Sequence, residues 1–219
     1  MILKLTRARL TIIVIILAAI IIFSTVAYEH QVSSSEIYGK TYVYQIDRYY
    51  VFNSITVNFT EFQTLKFGVP TKEGLLPINV TEVEQQYTAL INMTNGKIVN
   101  VFYDGNASQM LTSGQGTLEN LYIAPGKFPS VGQSVTLLNY TMYALGYTYV
   151  RLPSGYREEV LVLQYTNSSS SDGTSYYYRT VFYYSKSTGV LVRSSFLTET
   201  SGVTGNYYNN QTSTLYSVY

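Results

Sequence analysis

Cysteine and tryptophan are absent from the 219 residues, histidine occurs once, and only 12% of positions carry a charge. Each absence removes a class of function. Without cysteine there is no disulfide framework, no thiol nucleophile and no cysteine-ligated metal or haem. His30 alone cannot supply a Ser–His–Asp triad or a histidine-rich zinc site. It lies just after an apolar run and reads as a linker residue. The lack of tryptophan weakens a stacking platform for sugars, even with 24 tyrosines present.

The charges that exist are nearly balanced. Formal net charge is +1, but Lys4, Arg7 and Arg9 sit in the first ten residues, and the remainder has two more acidic than basic groups. No basic face can form, which argues against a nucleic-acid partner. Solubility rests instead on 22 Ser, 25 Thr, 13 Asn and the tyrosines. Such a surface survives below about pH 4, where carboxylates lose their charge, and so fits an acidic exterior.

What is present begins with "MILKLTRARL", a basic head over residues 1–10. Leu10 to Tyr28 follows as an uncharged run of 19 residues. As a helix it would be about 28 Å long, close to the thickness of a bilayer's hydrocarbon core. Residues 11–28 are therefore a signal-anchor helix or a signal peptide. The strictly apolar part, Ile12 to Phe23, has the length of a signal h-region, and Thr25-Val26-Ala27 offers a cleavage site after Ala27. The full uncharged length favours a retained anchor. Either way the head stays cytoplasmic and the rest is exported. Residues 29–40 read as a polar spacer, and 41–219 as an extracytoplasmic β-domain.

Alternation of Tyr, Val and Thr with polar residues over that domain is the signature of strands. Asn95-Gly96 between "YTALINM" and "KIVNVFY" is a strong hairpin signal. A second hairpin spans residues 176–200 and turns near Gly189. Further strands are predicted at Thr41–Ile46, Tyr49–Phe59, Val135–Met142, Tyr147–Leu152, Glu158–Thr166 and Thr214–Val218. Thr81-x-x-Glu84 matches a capping box and predicts a single short turn, while "NSSSSDGTS", 167–175, reads as a mobile loop. The fold class is all-β, an antiparallel meander forming a curved sheet, half-barrel or sandwich behind one N-terminal apolar helix.

N-glycosylation sequons occur at Asn58, Asn79, Asn92, Asn106, Asn139, Asn167 and Asn210. Chance at this composition gives roughly three, so the excess favours covalent N-glycans and agrees with export. Asn92 and Asn139 must then point away from the core. Catalytic pairs are hard to assemble. Glu158 and Glu159 are neighbours on one strand and face opposite ways. Glu82 and Glu84 read as solvent-exposed, and Asp47, Asp104 and Asp172 as loop or turn residues. No catalytic, cofactor-binding or metal-binding residue is assigned, and no cofactor is expected. The tyrosine pairs and triplets read as sheet packing.

The basic head, Ile-rich segment, missing cysteine and dense sequons together resemble exported surface proteins of thermoacidophilic archaea. "VGQSVTL" at 131–137 and "FYYSKSTGVLVRSSF" at 182–196 are similar to strand segments of archaeal secreted β-proteins. Hairpins of the latter kind recur in curved sheets like those of lipoprotein-carrier folds. The resemblance implies a fold style and a compartment, with no site residue. The expected function is a non-catalytic, membrane-anchored, glycosylated envelope component or accessory subunit, single-pass or released to the cell surface if cleaved, in a homo- or hetero-oligomeric assembly. Three alternatives stand beside it. One is a filament subunit donating residues 38–46 as a strand, another a carrier of a lipid or small apolar ligand, the third an acid-active hydrolase using Glu158 or Glu159.

Overall fold

The computed structural model describes residues 37–82, 86–93, 98–103, 106–107, 120–123, 125–137, 140–202 and 205–219. The segment expected to be the apolar helix, with Ala27 and His30, lies outside the described residues. Among those described there is no α-helix, only a 3₁₀ turn at Pro125–Lys127, and no helix long and apolar enough to cross a membrane.

All twelve strands belong to one antiparallel sheet. They are β1 (Thr41–Phe52), β2 (Ile55–Phe67), β3 (Leu75–Thr81), β4 (Gln86–Asn92), β5 (Ile98–Tyr103), the two-residue β6 (Asn106–Ala107), β7 (Ser134–Leu137), β8 (Tyr140–Arg151), β9 (Arg157–Ser171), β10 (Thr174–Ser185), β11 (Leu191–Gly202) and β12 (Gly205–Val218). The sheet order is β6-β5-β4-β3-β2-β1-β12-β11-β10-β9-β8-β7. The chain thus starts at the centre, meanders outward to β6, crosses to the opposite edge at β7 and meanders back until β12 pairs with β1. The two outermost strands do not pair with each other among the described residues, so the sheet is open there, and the described strands form no second sheet.

One face carries the core. Tyr42, Tyr44 and Ile46 of β1 are buried while Thr41, Val43 and Gln45 between them are not. The same period of two puts Leu65 and Phe67, Ile78 and Val80, Leu161 and Leu163, Phe182 and Tyr184 on that inner face. They form one cluster reaching from β5 to β8, which requires the sheet to curl around it. Part of the crossover helps to fill the concavity. Leu121 and Tyr122 are buried, Tyr122 bridges Val190, and the Leu191 amide donates to the Leu121 carbonyl at 2.8 Å. Ile37, just before β1, is fully buried in the same cluster.

Several expected boundaries are corrected. Asp47 and Arg48 do not end a strand: β1 runs through them, Thr60 donates to Asp47 at 2.6 Å, and Arg48 pairs with Glu61. The turn comes at Asn53-Ser54, where Asn53 takes φ 53. Val135–Met142 is two strands, β7 and β8, paired with each other. The serine run is strand rather than loop, with only Asp172-Gly173 turning, at φ 52 and 73. β3 was not among the expected strands; within it Pro77 opposes Leu90 of β4, and its carbonyl accepts from the Gly68 amide at 2.8 Å, so only the reciprocal bond to Gly68 is missing. The Asn95-Gly96 turn, Glu84 and Asp104 lie outside the described residues, while the flanking strands β4 and β5 pair as expected.

Candidate functional site

The acidic residues are absorbed by structure. Glu158 and Glu159 do face opposite ways. Glu159 accepts from Lys186 Nζ at 2.9 Å on the surface, while Glu158 Oε1 accepts from Ser185 at 2.6 Å and Ser187 at 3.1 Å. Glu82, expected in solvent, is half-buried and accepts from Gln63 at 2.7 Å and Tyr87 at 3.2 Å. These pairs separate the acids, so no two carboxylates converge on one site among these residues. No cluster of three potential metal ligands occurs among the described residues.

Sequon positions follow the pleat. Asn58, Asn79, Asn92 and Asn210 each alternate with inner-face neighbours and so lie on the outer face, away from the core. Asn58 and Asn210 both oppose Tyr49, one on each side, in β2 and β12. Asn167 is on the inner face but opposes exposed Tyr178, beyond the core. Asn58, Asn79 and Asn167 are exposed, and Asn92 and Asn210 half-buried. Asn106 is in β6, and Asn139 lies outside the described residues.

Six strands, β2-β1-β12-β11-β10-β9, extend past the core, and there neither face is covered by the described residues. In this distal half the inner face holds a contiguous apolar row. Phe52 opposes Ile55, and Tyr50 opposes Val57, with Phe59 next along β2. Phe52 and Ile55 are 56% and 65% exposed. The row is ordered by its own contacts: Tyr50 stacks on Phe59 with centroids 6.2 Å apart, and the Arg48 guanidinium lies 5.6 Å from the Phe59 ring. Asn53 fixes the tip by accepting from the Asn206 amide at 3.2 Å and donating its own amide to the Asn206 carbonyl at 2.9 Å.

At the opposite end, β12 leaves β11. Their pairing stops at Arg193↔Thr214, and β12 continues alongside β1 alone to Val218. The divergence opens a cavity of about 380 Å³ bordered by Leu152, Val190, Val192 and Leu215, with Glu158 and Ser217 among its polar lining. Sequence reading missed this site, since it arises from where two strands part and from no motif.

Buried tyrosines complete the picture of the inner face. The Tyr44 hydroxyl donates to the Leu191 carbonyl at 2.6 Å and Tyr184 to the Asn120 carbonyl at 2.7 Å. Burial pushes both phenols well above their ordinary value, and Tyr122 is pushed up to about 12 by the same cause.

No family model matches the chain, and no curated protein matches it. Several solved structures align with the chain at low identity. The hypothetical lipoprotein YmcC from Escherichia coli is 13% identical over 78% of this chain and 87% of that one, with a TM-score of 0.35. Lipovitellin, described in terms of its lipid–protein interactions, is 11% identical over 83% of this chain and 25% of its own length, with a TM-score of 0.39. A DUF1329 family protein from Desulfovibrio piger is 8% identical over 89% and 91%, with a TM-score of 0.29.

Proposed function

We propose that the chain is a non-catalytic, N-glycosylated extracytoplasmic β-domain, held at a membrane by its N-terminal apolar segment, that serves as an interaction component of a surface assembly. The observation that carries this reading is the two-sided distal sheet. Its outer face bears Asn58 and Asn210, whose glycans would keep that side in solvent. On β1 and β2 its inner face bears the ordered row Tyr50, Phe52, Ile55, Val57 and Phe59 with no sequon, the inner-face sequon Asn167 lying four strands from β1, on β9. Exposed apolar rows of this kind mark contact surfaces. Among the described residues Glu82, Glu158 and Glu159 are separated and hydrogen-bonded, which does not favour an acid–base pair built from them. Donation of residues 38–46 to a neighbour is disfavoured as well, because β1 is paired on both edges within its own chain.

The test is glycan mapping and native-size analysis of the full-length chain recovered from membranes of an N-glycosylating host. Expected are glycans at Asn58, Asn79 and Asn210, and an assembly that Val57→Lys dissolves without unfolding the chain. An unglycosylated chain in the cytoplasm, or an assembly indifferent to Val57→Lys, overturns the proposal.

A further inference from the structure

The cavity at the parting of β11 and β12 is built like a small-molecule site and lies at the far end of the strands from the apolar row. Its volume, about 380 Å³, falls in the range of pockets that enclose small ligands. Leu152, Val190, Val192, Leu215 and Val218 supply an aliphatic part of the wall. One carboxylate oxygen on the lining, Glu158 Oε2, has no partner among the described residues, because both hydroxyl donors, from Ser185 and Ser187, go to Oε1.

The Glu158 carboxylate is also held in place. Ser185 is 3% exposed, and its hydroxyl accepts from the Thr188 amide at 3.0 Å while its carbonyl accepts from the Gly189 amide at 2.8 Å. The tight Ser185–Gly189 turn therefore orients Glu158 from below, through Oε1. Charge-assisted hydrogen bonds to a carboxylate are the strong kind, and an anion half-removed from water with one oxygen unengaged calls for a cationic donor. Lys40, the other charged residue on the lining, is exposed and forms no ion pair with Glu158. The remaining lining groups with a polar tip include the phenols of Tyr42, Tyr156 and Tyr216.

We infer that this cavity binds a small primary amine with an apolar body, its ammonium donating to Glu158 Oε2 and its hydrocarbon lying against Leu152, Val192 and Leu215. This site is independent of the interaction role proposed above.

Ligand-observed NMR titrations of the full-length chain with n-hexylammonium, 1-hexanol and hexanoate test it. Hexylammonium should bind saturably, hexanol on the order of tenfold more weakly, and hexanoate not at all, as expected when a hydrogen bond to a charged group is lost. Glu158→Gln should remove the preference for the amine, about tenfold, and leave hexanol unchanged, with the chain folded as before. Leu152→Trp should block both. Equal binding of the three probes, no saturable binding, or an amine affinity untouched by Glu158→Gln overturns the inference. Glu158→Gln leaves the Val57 surface intact, so failure here does not bear on assembly.

Discussion

The two ends of strand β1 obey the same alternation and meet opposite fates. Over Thr41–Ile46, every second residue enters the core; over Asp47–Phe52, the same parity delivers Arg48, Tyr50 and Phe52 to an uncovered surface. β2 mirrors this, with Gln63, Leu65 and Phe67 buried and Ile55, Val57 and Phe59 exposed. Strands of equal β propensity thus do two jobs. The proximal half is stabilised by burial against the curled sheet and the Leu121–Tyr122 plug. The distal half is held by backbone ladders, ring contacts and polar side-chain contacts such as Thr60–Asp47 and Asn206–Asn53, which leaves its apolar side chains available to something else.

Breaking the proximal half should have the largest effect. Phe182 is fully buried and meets Tyr184 and Phe196 edge-on, so Phe182→Ala should cost about 3–5 kcal/mol in a denaturant titration. Tyr44→Phe comes next. It leaves the buried Leu191 carbonyl without its donor, for about 1–3 kcal/mol. The same tyrosines set an alkaline limit. Their folded-state pKa is raised, so the neutral phenol favours the fold, and this contribution is complete below the unfolded value near pH 10 and is lost as pH rises above it. Thermal scans should show Tm falling beyond about pH 10, and falling less in Tyr44→Phe.

Gly205→Ala probes the junction of the distal tips. Gly205 has φ 126, and a Cβ there would lie 2.2 Å from Asn53 Oδ1, so the change should cost more than about 1 kcal/mol and free the β1–β2 tip. The smallest effect on folding belongs to Val57→Lys, within about 0.5 kcal/mol, although it should dissolve the assembly. That reversal, in which the mildest change for stability is the most severe for association, is the sharpest form of the contrast.

How much of this was legible depended on local chemistry. The β4–β5 and β10–β11 hairpins could be read because Asn-Gly and Thr-Gly punctuate alternating runs. The β1–β2 turn could not, because Asp47-Arg48 looks like a polar break, while the real turn residue, Asn53, is fixed by a contact with Asn206 across 153 positions. The serine run gave no hydrophobic signal, since both of its faces lie beyond the core. Outward placement of Asn92 followed from alternation. The sheet order, with the first and last strands adjacent at the centre, and the cavity where β12 leaves β11 are properties of long-range pairing that no short window contains.

Hydrogen exchange on the full-length chain, compared between its native membrane and the purified monomer, tests the central claim most directly. Residues 50–59 should gain protection in the membrane assembly, while the proximal strand ends around Tyr44, Leu163 and Phe182 remain equally protected in both. Identical exchange over residues 50–59 in the two states would contradict the assignment of the distal inner face as a contact surface.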